Sequence, residues 1–179
     1  RAWDLNTTAN WWNGSADVMW TDNSAQGADA AVFSGNPGTV TLNTGLSASN
    51  LQFSADYTLS GAGVLTLGAG GLTANSGTTT LGNPRSLSCG QQPWYAAGGT
   101  LAINGAVSRS PGAAVDFSSG GVTSSTLANV NGVLGAWATV NAATGAGGNW
   151  AANDGAGNIV PYSGYTSVSS GASSTPDLT

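Results

Sequence analysis

The segment from Val40 to Leu81 decides the fold, and it reads VTLNTGLSASNLQFSADYTLSGAGVLTLGAGGLTANSGTTTL. Within it a short unit recurs, made of an apolar residue, a polar residue and a second apolar residue, followed by a turn. The instances are Val40-Thr41-Leu42, Leu51-Gln52-Phe53, Tyr57-Thr58-Leu59, Leu65-Thr66-Leu67 and the degenerate Thr79-Thr80-Leu81. Because successive side chains of a strand point to opposite faces, each unit predicts a short strand with one apolar and one wet face.

The residues between these units are mainly Gly, Ser, Asn and Ala, which permit tight turns. A single short strand of this kind cannot bury its apolar face, whereas a coil of stacked strands can, because each turn covers the next. The sequence therefore predicts an all-β fold, a β-solenoid with Leu, Val, Phe and Ile inside and Thr outside.

The composition agrees with strands and turns. The chain has 179 residues, the length of one ordinary domain. Its three basic residues are Arg1, Arg85 and Arg109, its eight acidic residues are all Asp, and it has no Glu, Lys or His. Straight-chain helix formers are therefore scarce, while Gly reaches 28. A hydrophobic content of 40% and seven Trp argue against disorder.

The charge balance excludes several partner classes. A formal net charge of −5 argues against nucleic acid, because binding phosphates requires clustered Lys or Arg. No apolar run approaches the roughly 20 residues of a membrane helix, so we expect no membrane insertion of this segment. A surface of Thr, Ser, Asn and Gly with few charges is typical of proteins outside the cell, which predicts an extracellular or bacterial cell-surface location.

We expect three parts along the chain. Residues 1–33 are predicted to form an aromatic-rich N-terminal cap, residues 34–168 the solenoid, and residues 169–179 a flexible tail or linker. The cap carries Trp3, Trp11, Trp12, Trp20 and Phe33. These aromatics are interpreted as a lid over the open solenoid end, with an aromatic platform for sugar binding as the alternative.

No metal site or cofactor is predicted. Asp4, Asp17, Asp22 and Asp29 lie among the aromatics of the cap, and carboxylates are ligands for Ca²⁺. However, their spacing fits neither an EF-hand loop nor a Gly-Gly-x-Gly-x-Asp nonapeptide, so we interpret them as solvated turn residues. The lone Cys89 cannot form an internal disulfide and has no metal motif around it, so it is interpreted as a small buried or half-buried side chain.

Residues 82–99 are predicted to leave the coil as a loop excursion. Two prolines, Pro84 and Pro93, cannot donate hydrogen bonds to a sheet. The segment also holds Arg85, Trp94 and Tyr95, the most varied chemistry in the chain. A functional loop on a rigid scaffold and aromatics folded back onto the coil are both compatible with it.

The residues predicted to contact a partner or a glycan are Trp94, Tyr95, Arg85, Trp11 and Trp12. No catalytic residue is predicted, because His, Glu and Lys are all missing and no acid or base pair is evident. Asp116 and Arg109 are the nearest oppositely charged residues in the predicted coil, and we expect both on outer faces or in turns. The chain is therefore expected not to be an enzyme.

Several segments resemble the autotransporter-associated β-strand repeat. This repeat occurs in secreted and surface proteins of bacteria, including Planctomycetes and Verrucomicrobia. The segments are Trp12-Asn13-Gly14-Ser15, Trp20-Thr21-Asp22, Ala31-Val32-Phe33, Val40-Thr41-Leu42, Asn50-Leu51-Gln52-Phe53 and Tyr57-Thr58-Leu59-Ser60-Gly61. Residues 135–141, 149–151 and 158–166 look like a block that often follows those repeats. The resemblance implies a right-handed parallel β-helix that is exported and displayed at the surface. It assigns no catalytic residues.

These observations predict a structural protein, either a surface stalk or a subunit of a head-to-tail filament. A coil end displays unpaired backbone groups, so end-to-end self-association is the expected partner interaction. The alternative is an adhesin that binds an extracellular glycan or a partner surface through exposed aromatics.

Overall fold

The structure is a computed structural model that describes residues 1–21, 29–87, 90–118, 120–141 and 148–165. Within these ranges the chain is all-β and contains no helix. The strands are β1 (Ala2–Trp3), β2 (Ala9–Trp12), β3 (Asp17–Met19), β4 (Ala30–Phe33), β5 (Gly38–Leu42), β6 (Leu46–Phe53), β7 (Tyr57–Ser60), β8 (Leu65–Ala74), β9 (Thr78–Leu81), β10 (Arg85–Leu87), β11 (Gln91–Tyr95), β12 (Thr100–Ile103), β13 (Val107–Arg109), β14 (Ala114–Phe117), β15 (Val122–Ser124), β16 (Ala138–Val140), β17 (Asn149–Asn153) and β18 (Ile159–Pro161).

Most of these strands stack in parallel and in register, so that the chain winds into a β-solenoid of about five turns. This confirms the predicted fold class. From β4 to β16, residues paired in parallel lie 19 to 23 positions apart along the chain, as shown by Gly38 with Tyr57 and by Val115 with Ala138. Each turn is therefore one short circuit of the coil.

Three ladders make up the sides of the solenoid. The first ladder contains β1, β5, β7, β9, β12 and β15. The second ladder contains the first halves of β6 and β8, followed by β10 and β13. The third ladder contains β4, the second halves of β6 and β8, and then β11, β14 and β16. The chain visits the three ladders in turn, and the long strands β6 and β8 each contribute to two of them.

Alternation within the strands decides which side chains line the interior. Val40 and Leu42 of β5 are buried, while Thr41 between them is half-buried on the outer face. In β6, Leu51 and Phe53 are buried and Gln52 is exposed. Hydrophobic burial of this kind stabilises a fold by roughly 1.5–3 kcal/mol for each large side chain. The predicted apolar interior and Thr-rich exterior are confirmed.

Residues 82–99 do not form the predicted loop excursion. β10 pairs with β8 and β13, and β11 pairs with β8 and β14, so both strands are ordinary parts of a turn. Pro93 is in register with Asp116 of β14 but has no registered partner in β8, because the pairing of β11 with β8 begins at Trp94. Residues 88 and 89, and with them the prediction for Cys89, lie outside the described residues.

The end of the solenoid that is formed by the first strands of the chain is covered by the antiparallel hairpin of β2 and β3. However, the predicted cap at 1–33 is not separate from the coil, because β1 pairs with β5 and β4 pairs with β6. Both strands therefore belong to the ladders, and only the hairpin lies outside them.

At the other end the parallel arrangement stops. β16 pairs with β17 in antiparallel fashion, and β17 pairs likewise with β18. Ala151 of β17 and Ile159 of β18 are buried and close the core. The strands β17 and β18 thus depart from the parallel coil predicted for residues 34–168. The predicted tail at 169–179 lies outside the described residues.

Candidate functional site

Four aromatic side chains pack together at the first end of the solenoid. Trp3 lies 5.0 Å from both Trp11 and Trp20, measured between ring centroids. Trp11 lies 4.8 Å from Trp20 and 5.4 Å from Phe33. The rings meet at tilted or edge-on angles of 52° to 84°, the arrangement that aromatic quadrupoles favour. These residues cover the apolar interior, as expected of a lid.

The aromatic packing continues into the first turns. Phe33 stacks on Phe53 with a centroid distance of 4.7 Å and an angle of 10° between the rings. This stack follows from the register, in which β4 and β6 place the two residues side by side. Tyr57 joins them, and its hydroxyl lies 2.7 Å from the carbonyl oxygen of Ser34. The lid is therefore anchored to the coil by contacts between rings and by a hydrogen bond.

A cleft of about 440 Å³ opens beside this cluster, and we call it the aromatic cleft. Its volume is within the range of small-ligand sites, which are mostly apolar with a few polar groups. Trp12 is the most exposed of its aromatic walls, with 67% of its surface accessible. The lining residues are Arg1, Ala2, Trp3, Asn10, Trp11, Trp12, Ala30, Val32, Phe33, Ser34, Val40 and Tyr57.

The polar groups of the aromatic cleft are already oriented by the backbone. The side-chain amide of Asn10 donates to the carbonyl oxygen of Ala2 at 2.9 Å. The guanidinium of Arg1 lies 3.5 Å from the carbonyl oxygen of Asn36. The site thus offers an exposed indole face, a fixed amide and the positive charge of Arg1. These groups suit a neutral ligand ring that carries hydroxyl groups, whereas Arg1 would repel a positively charged ligand.

The structure separates the five predicted contact residues. It brings Trp11 and Trp12 together in the aromatic cleft. Trp94 is fully buried, packs edge-on against Phe117 and donates its indole N–H to Gln92, so it cannot form a contact surface. Arg85 is also buried and faces the interior. The predictions that Trp94 and Arg85 contact a partner or a glycan are therefore wrong. Each residue is in register with an interior leucine of β8, so its side chain points inward.

Tyr95 is half-buried and forms part of a polar cluster that was not predicted from the sequence. Its hydroxyl donates to Asp116 at 2.8 Å, and the hydroxyl of Thr139 donates to the other carboxylate oxygen at 2.9 Å. Burial and the hydrogen bond to this carboxylate raise the pKa of Tyr95 to about 12. Asp116 lies on the outer side of β14, as expected, but its neighbours cover it and only 1% of its surface is accessible.

Arg109, in contrast, is exposed as expected, and its guanidinium lies 5.8 Å from the ring centroid of Trp137. It donates a hydrogen bond to the carbonyl oxygen of Ala113 at 3.5 Å. Arg109 therefore stabilises a neighbouring turn through a cation–π contact.

In the part of the chain that the structure describes, no three His, Cys, Asp or Glu side chains are grouped closely enough to hold a metal ion. Asp4, one of the carboxylates considered for calcium, accepts hydrogen bonds from the backbone and hydroxyl of Thr8 at 2.9 and 2.7 Å. Asp22 lies outside the described residues. No helix among the described residues has the length and apolarity needed to cross a bilayer.

Comparison of the chain with protein-family models, with curated proteins and with solved structures finds no match.

Proposed function

We propose that this chain is a non-enzymatic structural segment of an extracellular or bacterial cell-surface protein, acting as a rigid spacer or stalk element. The observation that carries the proposal is the unbroken set of in-register parallel ladders on three sides of the coil. With rungs about 4.8 Å apart, about five turns give a rod on the order of 20 Å long. A longer protein would gain reach by repeating such segments.

The outer surface supports a location outside the cell. The outward positions of the ladders carry uncharged polar side chains such as Thr41, Gln52, Thr58 and Thr66. Such a surface remains hydrated without depending on charge, and it is consistent with the resemblance of the sequence to surface-displayed repeats.

Head-to-tail assembly is the second form of this proposal. Stacking through strand edges requires exposed backbone N–H and C=O groups at both ends. The hairpin of β2 and β3 and the antiparallel pair of β17 and β18 lie at those ends, which favours a discrete spacer over a polymer. A filament would have to form by docking of these covered ends.

Sizing chromatography and negative-stain microscopy of the purified chain, over a hundredfold range of concentration, test this proposal. We expect a monomer at every concentration. Fibres that lengthen with concentration would contradict the spacer and support the filament. A purified chain without regular β-structure would contradict both proposals.

A glycan-binding adhesin is a second candidate function, and the exposure of Trp12 in the aromatic cleft favours it. A sugar ring could stack on this indole while Asn10 and Arg1 contact its hydroxyl groups. The test is binding to an array of extracellular polysaccharides. Trp12→Ala should abolish binding, whereas Trp150→Ala, at a tryptophan with 41% of its surface accessible outside the cleft, should preserve it. Equal loss in both variants, or no binding by the wild type, would remove this candidate.

A further inference from the structure

Arg85 is a charged residue in the interior of the solenoid. In the second ladder it is in register with Leu65 on one side and with Val107 on the other, so it occupies a position that holds leucine in the turns before it. Only 1% of its surface is accessible. Burial lowers the pKa of Arg85 to about 9, and the guanidinium therefore keeps its charge at pH 7.

The hydrogen bonds of this guanidinium are incomplete. Nη2 donates to the side-chain oxygen of Asn83 at 3.1 Å. Nε and Nη1 are both buried, and neither has an acceptor among the described residues. Asn83 is itself fixed in the interior, because its amide lies 3.3 Å from the carbonyl oxygens of Gly63 and Pro84. The three N–H hydrogens carried by Nε and Nη1 therefore lack a protein partner.

The charge is also uncompensated by the described carboxylates. Asp116, which with Arg85 is buried among the charged residues that the structure describes, lies on the outer side of β14 and accepts hydrogen bonds from Tyr95 and Thr139. Asp56 accepts from the backbone of Thr78 instead. A buried charge without a counter-charge is strongly destabilising, and buried donors without acceptors add to that cost.

We propose that the solenoid binds a small monovalent anion, of the size of chloride or bromide, against the guanidinium of Arg85 inside the second ladder. Nε and Nη1 lie on different edges of the guanidinium plane, so one ion takes one edge and an ordered water molecule takes the other. Water alone would satisfy the hydrogen bonds but would leave the charge unneutralised, which favours an anion. Val107, the residue in register with Arg85 on the next turn, is half-buried.

The first test is the thermal midpoint of unfolding in sodium chloride or bromide, with sodium gluconate keeping the ionic strength constant. A ligand that binds only the folded state raises the midpoint with the logarithm of its concentration. We expect a rise of roughly 3 °C per tenfold increase in halide above saturation for a chain of this size. Arg85→Met should remove this rise, whereas Arg109→Met, which changes the net charge equally at an exposed position, should retain it.

The second test does not depend on the folding of a variant. Crystals of the wild-type chain grown with sodium bromide should show an anomalous-scattering peak within hydrogen-bonding distance of Nε or Nη1 of Arg85. Water density without an anomalous signal at Arg85 would overturn the proposal. A halide effect of equal size in the wild type and in Arg85→Met would overturn it as well, since that effect would then be a general salt effect.

Discussion

Tyr95 and Asp116, on neighbouring turns of the solenoid, are joined by a hydrogen bond of 2.8 Å from the tyrosine hydroxyl to the carboxylate. Asp116 is in register with Pro93, and Tyr95 lies two residues further along the same outer face. This bond links two neighbouring strands of the third ladder on their outer face, away from the apolar contacts of the interior.

The Tyr95–Asp116 bond predicts a loss of stability at alkaline pH. The pKa of Tyr95 is raised from 10.0 to about 12 in the folded protein, first by burial and then by Asp116. The contribution of Tyr95 is therefore complete below pH 10 and is lost as the pH rises through 12. We expect the free energy of unfolding in urea to fall more steeply between pH 10 and 12 for the wild type than for Tyr95→Phe. Parallel curves for the two proteins would contradict this prediction.

The interior ladder predicts a large cost for Leu59→Ala. Leu59 is fully buried and is in register with Val40 and Leu81 on the adjacent turns. Removing its side chain leaves a cavity, and we expect the free energy of unfolding to fall by about 2–5 kcal/mol. Thr58→Ala, at the neighbouring outward position, is the control and should change it by less than about 1 kcal/mol. Similar losses in both variants would mean that β7 is not two-faced.

The close stacking of turns predicts that Gly61 cannot be replaced. Its φ is +98°, and a Cβ atom there would collide with the backbone of Leu42 on the preceding turn. Gly35 has a φ of +78°, but a Cβ atom there would meet nothing within 4 Å. Gly35→Ala should therefore cost about 1–2 kcal/mol from backbone strain alone. Gly61→Ala should cost clearly more in the same denaturation experiment, and equal costs would show that the turns are not in contact at this point.

The buried charge predicts a stabilising substitution. Arg85→Leu would continue the leucines of the second ladder, Leu46 and Leu65, and would remove an unpaired cation. In buffer without halide we expect the free energy of unfolding at pH 7 to rise by about 1–4 kcal/mol.

The pH dependence of this substitution has a definite sign. The folded pKa of Arg85 is lowered from 12.5 to about 9, so the charged guanidinium destabilises the wild type below pH 9. That penalty is relieved as the pH rises from 9 to 12.5, and the advantage of Arg85→Leu should narrow over the same range. A variant less stable than the wild type at pH 7 without halide would show that Arg85 makes favourable contacts in the core.

The regular part of the fold was accessible from the sequence, because alternation of single residues is a local signal. The units beginning at Val40, Tyr57 and Thr79 all lie on the first ladder, while Leu51 and Leu65 begin units on the other two. The turn residues between them agree with this pattern, so local and global preferences point to the same structure.

The interior position of Trp94 was harder to predict, because prolines and polar residues around it are local loop signals. A longer-range signal was present, however. Trp94 lies 22 residues after Leu72 and 23 before Phe117, and it is in register with both. A search for apolar residues at the spacing of a full turn would have placed Trp94 inside. Arg85 is also one full turn from an interior leucine, Leu65, but it is charged. A search for apolar residues would therefore not have predicted its interior position.

The change from parallel to antiparallel pairing between β16 and β17 bears on how this architecture can grow. The free edge of β16 is occupied by β17, so a further parallel strand cannot pair there unless β17 and β18 are displaced. Lengthening of the rod by gene duplication would therefore have to insert whole circuits of 19 to 23 residues between the hairpin and β16. Among the described residues the third ladder therefore ends at an edge that is already paired, unlike the open edge on which an amyloid fibril adds further chains.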